Sequence, residues 1–412
     1  MKNSYFNLLK KSPQVVSYGV IHYFFSSVGQ SFFLSLFIPQ FCTRLAIDAA
    51  TFAYIYAVSS FAAGVLLSVI GPVVDRIDLR KCSGLFALLA ACFCLLMGQV
   101  QSVWMLGIAI FGLRLTGQGM MPLIGAAAMG KYFKADRGKA LSIAALGMSV
   151  GEVLAPIGLV VLINTFEWTT LWSALAVIQA VVFPFIAYLL VGKVDLFATI
   201  ATTAQSKGSS KKFIRELLRS PSYWLYAVSL VFCPFLAAGI MIHHSSLLEI
   251  KSWSLPMYAT GFVGFGVARI LSSISTGPLI DRWSASRLLP YFLWPIIMMM
   301  ACLIFVKQVW VLYLLLFVLG GSLSFGSICG TALWAEIYGA ERMGTAKSLN
   351  STLMVFACSM APIIFVSVFT TAYLFVAMAG LIMLAIVLSL LTRFSLARNS
   401  ATNQMKAKKA TC

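Results

Sequence analysis

Residues 71–76 read GPVVDR, and residues 277–282 read GPLIDR, 206 positions further on. Each copy follows one long apolar run and precedes another. A repeated turn of this kind predicts a loop between membrane helices that occurs once in each of two similar halves. The same offset relates Gly138 to Gly344, Ala140 to Ala346, Ser142 to Ser348 and Pro156 to Pro362, with an alanine before each proline. Equal offsets in separate segments predict a duplicated chain.

Working outward, the composition agrees. The chain has 412 residues, of which 60% are hydrophobic and 10% charged, and its mean hydropathy is +0.94. A soluble protein carries roughly a quarter charged residues. An apolar run of about 20 residues crosses a bilayer as a helix, because hydrocarbon offers the backbone no partners of its own. Twelve such runs are read at 17–38, 50–70, 82–98, 102–130, 140–163, 170–192, 223–248, 255–277, 288–306, 310–334, 346–367 and 371–393. The first is full length and lacks a small-residue cleavage site, so it reads as a retained helix. The predicted fold is an all-α membrane protein of two six-helix bundles, 1–193 and 223–395, joined by a linker at 194–222 and followed by a tail at 396–412.

Lysine and arginine set the expected orientation. The N-terminal segment, the loops after the even-numbered spans and the tail, with Lys347 and Arg393 at the adjoining span ends, hold 25 of the 30 basic residues, whereas the opposite loops hold Arg44, Lys251 and Lys307. The basic side is therefore expected in the cytoplasm, with both termini there and the chain in a bacterial inner membrane. The net charge of +18 is then mostly a topology signal, and no soluble segment is large enough to bind nucleic acid with it. The linker contains QSKGSSKKFIRELLRS, in which Lys211–Arg219 can form an amphipathic helix on the lipid surface. A regulatory role is the other reading of that segment. Nine scattered cysteines and three histidines show no ligand spacing, so no metal and no cofactor are expected. A GxxxxGK[ST] element is absent, which disfavours an ATP-driven pump.

The loop motif has its own physics. Gly71 permits a tight helix exit. Asp75 and Asp281 can accept backbone donors at a helix N-terminus, and Arg76 and Arg282 can pair with acids or lipid phosphates. Together with Arg80 and Gly277 they form the candidate gating set. GPVVDRIDLRK resembles the loop between the second and third helices of the major facilitator superfamily through Gly71, Asp75, Arg76, Arg80 and Lys81, with Asp78 where that family usually has glycine. GPLIDRWSASR resembles its second-half echo. FGLRLTGQG, with Arg114, Gly117 and Gly119, resembles the fourth-helix motif, and GMSVGEVLAPIG the fifth-helix pattern. The resemblance spans nearly the whole chain and implies a major facilitator fold. Within that family, the segment 130–158 is most similar to bacterial relatives of the monocarboxylate and oxalate/formate porters. Animal monocarboxylate porters carry an aspartate and an arginine four residues apart in the eighth helix. Here GFVGFGVARILSSISTG supplies Arg269 alone.

Three charges fall deep in apolar runs: Arg114, Glu152 and Arg269. A charge at mid-bilayer costs several kcal/mol, so each is expected to face a cavity or a partner. Arg114 and Glu152 lie on consecutive spans at similar depth. They read either as a fixed ion pair or as a pair that opens during transport. Arg269 reads as an anion-binding group or a structural partner. The surplus positive charge suits a carboxylate, which arginine binds in bidentate fashion. Polar candidates for contact with substrate are Gln30, Tyr54, Tyr56, Gln118, Ser322, Ser324 and Ser327. Glu152, His243 and His244 are candidate proton carriers, and His22 is expected at the membrane interface.

The expected function is secondary active transport of a small organic anion by alternating access, with or without proton coupling, by a chain that is not an enzyme and works as a monomer among lipids. The alternatives are a carrier for a larger amphiphile, drug or carboxylate siderophore, and a non-transporting membrane sensor.

Overall fold

A computed structural model describes residues 10, 12–71, 73–133, 137–191, 207–339, 342–368 and, apart from 382, 385, 389 and 393, residues 380–395. Among them ten helices are long and apolar enough to cross a membrane, and one further span is a bent pair. In chain order they are α1 (Pro13–Gly29 with Ser31–Leu45), α2 (Ala49–Ile70), α3 (Leu79–Gly98), α4 (Val103–Tyr132), α5 (Gly138–Thr165), α6 (Trp168–Leu190), α7 (Pro221–Ile242), α8 (Leu255–Trp283), α9 (Ala285–Phe305), α10 (Trp310–Tyr338) and α11 (Thr345–Val366). Most of the last predicted span, 371–393, and all of the tail lie outside the described residues.

Helix starts are set by side chains that accept the first, unpartnered amides. Asp48 accepts from the Thr51 amide at 2.8 Å to open α2, and Asp78 accepts from the Arg80 amide at 2.7 Å to open α3. Ser102 does the same for α4 through the Met105 amide. The repeat is visible in helix interiors: Pro156 lies inside α5 and Pro362 inside α11. Each proline lacks an amide hydrogen and so removes one bond from the helix ladder.

The two copies of the loop motif fold differently. In the first, α2 ends at Ile70, Gly71 turns, and Val73–Arg76 form one short helical turn. In the second, α8 runs on through Gly277, Pro278 and Asp281 to Trp283, six residues beyond the expected end. Pro278, five residues before the helix end, removes one bond without stopping the helix.

Contacts divide the chain into two compact units. One comprises Met1–Thr202, Ala238–Gly266 and Ser359–Val366, and the other Thr203–Ala237, Val267–Cys358 and Ser367–Cys412. In the first unit α1 is wedged between α4 and α5. Gly147 and Gly151, four residues apart on α5, bring that backbone against Val20 and Ser27 of α1, where any Cβ would collide. Small residues at this spacing allow backbones to touch where dispersion and polar contacts replace the hydrophobic effect. Around them Val15, Tyr18, Phe86, Ile124, Met129 and Phe183 form a buried cluster. The same unit holds Phe262 of α8, whose ring lies 6.0 Å from that of Phe32 on α1.

In the second unit the linker segment is helical over Lys207–Arg219. Its apolar side faces protein: Phe213 and Leu217 are buried, and the Phe213 ring meets Tyr338 at the end of α10 edge-on at 5.5 Å. The Arg342 guanidinium lies 5.3 Å from the Phe213 ring centroid. The expected surface helix therefore exists, but these two side chains pack on their own unit and not on lipid.

Candidate functional site

α1 breaks near its middle. Ser26–Gly29 wind as a 3-10 turn, Gln30 is extended (φ −84°, ψ 154°), and a new helical segment begins at Ser31, with a 43° bend between the two parts. The local sequence SSVGQS accounts for this. Glycine and serine are weak helix formers, and serine hydroxyls compete for backbone groups; Ser26 donates to the Tyr23 carbonyl at 2.6 Å.

Beside the break, α4 widens into a π-helical stretch over Arg114–Met120. Such bulges recur at functional sites. The two irregular segments touch through Gly29 and Gly117. A Cβ on Gly117 would sit 2.8 Å from the Gly29 Cα, and one on Gly29 would strike the Leu113 carbonyl and lie 2.6 Å from the Gln118 nitrogen. Only glycine permits this approach.

Arg114 opens the π-helical stretch and reaches into the break. Its Nη1 donates to the Gly29 carbonyl at 3.2 Å and the Ser31 hydroxyl at 3.3 Å. Its guanidinium lies 5.2 Å from the Tyr56 ring centroid, a cation–π distance. Tyr56 and Ser31 share a hydrogen bond of 2.8 Å, which ties α2 to the break. Arg114 is 7% exposed, and its Nε is enclosed without a hydrogen-bond acceptor. The expected ion pair with Glu152 is not what holds Arg114: each of these contacts is to a neutral group.

Glu152 is nonetheless close in the fold. It is buried on α5, directly after Gly151, which packs on the Ser27 hydroxyl of the 3-10 turn. Gln30 and Gln118 are half-buried at the break. Gln179 of α6, which the sequence did not single out, donates to the Phe25 carbonyl at 3.1 Å and so satisfies a group next to the break. Tyr54 lies on another face of α2, 52% exposed alongside Val58 and Val65, so the ring that meets Arg114 is Tyr56.

The remaining candidates lie elsewhere. In the second unit Arg269 is half-buried on α8, and one turn on, Ser273 shares a 2.6 Å hydrogen bond with Ser324 of α10. Ser322 is buried on the same helix. In the first unit His243, at the end of α7, is buried and bonds through Nε2 to the Pro362 carbonyl at 2.7 Å, so that nitrogen carries a proton. His244 is buried, donates from Nδ1 to the Met241 carbonyl and stacks on Tyr258 with centroids 4.7 Å apart. His22 is fully enclosed by protein. It donates from Nδ1 to the Tyr18 carbonyl and bonds through Nε2 to Ser83, each at 2.7 Å.

Of the loop residues, Gly71 caps α2 through a 2.7 Å bond to the Leu67 carbonyl. The side chains of Asp75 and Arg76 lie outside the described residues. Arg80 pairs with Asp78 at 3.3 Å. A Cβ on Gly277 would meet nothing within 4 Å, Asp281 is exposed, and Arg282 lies over Trp283. The carboxylate that takes amide donors in the second copy is Glu336 of α10. It accepts from Ala285 at 2.7 Å and Ser286 at 3.0 Å. In the first copy the corresponding end of α4 supplies a cation, Lys131, which donates to the Val74 carbonyl at 2.8 Å.

A family model described as Major Facilitator Superfamily matches residues 20–362. No sequence among curated proteins matches the chain. Among solved structures, a mutant of the nucleoside transporter NupG superposes with a TM-score of 0.70 at 13% identity, covering 93% of this chain and 98% of that one. A bacterial homologue of the human lysosomal transporter Spinster, in an inward-facing and occupied conformation, gives 0.67 at 14% identity, with 93% and 96% covered. At this identity the likeness is one of fold.

Proposed function

The chain belongs to the Major Facilitator Superfamily, and from that premise we propose that it carries a small organic anion, a carboxylate, across the membrane by alternating access. One observation carries the reading. Arg114 is a buried guanidinium at a broken helix, and its contacts with Gly29, Ser31 and Tyr56 bring no negative charge. A carboxylate oxygen would supply that charge and an acceptor for the enclosed Nε. Gln30, Gln118 and Tyr56 would line the same place. Arg269 and Ser324 are the proposed polar contacts that lie in the second unit. Glu152, beside the 3-10 turn, is the group proposed to carry a proton when transport is coupled, with His243 and His244 as further proton-coupling positions. The gating role assigned to Gly71, Asp75, Arg76, Arg80, Gly277, Asp281 and Arg282 rests on the repeated loop.

Proteoliposome uptake tests this. Labelled mono- and dicarboxylates are expected to enter, and Arg114→Gln to reduce uptake about tenfold or more, the worth of one charged hydrogen bond. Glu152→Gln should abolish accumulation driven by a pH gradient while leaving exchange intact. Carboxylate uptake that survives loss of the Arg114 charge overturns the assignment. The second reading, a carrier for a larger amphiphile such as a drug or a siderophore, draws on an apolar cavity of about 360 Å³ in the second unit.

A further inference from the structure

That cavity lies between α8, α9 and α10, away from the break in α1. It is bounded by Ser272 of α8, by Leu288, Tyr291, Phe292 and Pro295 of α9, and by Phe317, Gly321 and Phe325 of α10. Its volume is about 360 Å³, and its walls are almost wholly apolar. Every wall belongs to a helix long and apolar enough to cross a bilayer. Tyr291 and Phe317 on its rim are 53% and 40% exposed, so the slot is open to its surroundings.

The mouth has a chemical signature of its own. Trp283, Tyr291 and Trp294 are all exposed, and exposed aromatics of this kind mark the headgroup level of a bilayer. Arg287 is exposed and immediately precedes Leu288 of the wall, while Arg282 is exposed and lies over Trp283. Thus two exposed guanidinium groups lie in the chain just before the α9 wall of the slot. Basic residues over such clefts bind phosphate headgroups.

The geometry points to an anionic phospholipid site, with an acyl chain in the α8–α9–α10 slot and the phosphate on Arg287 and Arg282. The occupant is a lipid of the surrounding bilayer, because an open apolar slot between spanning helices and exposed arginines next to its α9 wall suit an acyl chain and a phosphate.

Native mass spectrometry of the whole protein taken from vesicles of equal phosphatidylglycerol and phosphatidylcholine tests the site. Phosphatidylglycerol is expected to be retained preferentially. Arg287→Ala should lower that preference about fivefold, the value of one basic residue at an anionic surface. Gly321→Leu should reduce retention of both lipids. Space exists for a side chain there, since a Cβ on Gly321 would be 3.8 Å from Ala268. For the unaltered protein, a phosphatidylglycerol with a photoreactive acyl chain should crosslink to peptides covering 288–295 and 317–325. Crosslinks confined to other helices overturn the site, as does unchanged lipid retention in a folded Gly321→Leu protein. A Gly321→Leu variant that loses carboxylate uptake while keeping its lipid would place the slot on the substrate path and overturn it too. Failure of the lipid result leaves the Arg114 uptake experiment unaffected.

Discussion

At the scale of single residues, position decides which carboxylate does which work. Asp78 and Ser284 correspond at the 206-residue offset, as do Arg80 and Ser286. In the first copy Asp78 takes the Arg80 amide itself. In the second, Ser284 has no carboxylate to offer, and Glu336 reaches across from α10 to the Ser286 amide. The same backbone donor is satisfied twice by different means, and the aspartate that departs from the family pattern is the reason. Arg114 was legible in the sequence because few charges interrupt the apolar runs. Its partners were not, since a glycine carbonyl and a serine hydroxyl become available only once α1 breaks. Asp48 offers a test at this scale. Its hydrogen bonds with Thr51 hold its carboxyl below the usual range. A depressed native value means that the cap stabilises above the unfolded value and is lost as pH falls through the native one. Asp48→Ala should therefore lower the melting temperature at neutral pH, and the difference from wild type should close below about pH 4. A pH-independent gap would show that the carboxylate charge is not what caps α2.

At the scale of elements, the broken α1 and the π-helical stretch of α4 are one feature. Each lacks regular backbone bonds where the other lies, and the two glycines let them meet. Hydropathy located both spans but said nothing of the irregularity, since a window average cannot see a change of helical winding. The signal that existed was compositional: SSVGQS in an otherwise apolar run, and Gly117 and Gly119 flanking Gln118. Gly29→Ala is expected to cost about 1–3 kcal/mol through forced displacement of backbone, read as earlier loss of the monodisperse peak on heating in detergent. It should also reduce uptake by misplacing the Gly29 carbonyl. Gly158→Ala is the control: a Cβ there meets nothing within 4 Å on α5, and alanine in a helix is expected to hold or raise stability. Equal melting of the two variants would sink the claim that Gly29 is set by packing.

For the molecule as a whole, the duplication was legible because it fixes prolines, glycines and charges at a constant offset, and the halves depart from one another where contacts are local. The loop of the first copy is a turn with its own helical step, whereas that of the second is a continuation of α8. The linker was harder to read. Lys207–Arg219 has the sequence of a surface helix, and only the presence of Tyr338 and Arg342 decides what its apolar face covers. Phe213 and Leu217 are buried, and Phe213 meets Tyr338 of the same unit, so this helix is docked on the second unit. Phe213→Ala removes the ring that both Tyr338 and Arg342 touch. The exposed Arg215 and Arg219 then become good sites for trypsin, because cleavage requires local release of the helix. Deleting a buried phenylalanine costs about 3–5 kcal/mol, so cleavage at these two positions should accelerate at least about tenfold, while the melting of the membrane helices changes little. Unaltered cleavage in Phe213→Ala would mean that the linker is held by something other than its docking on α10.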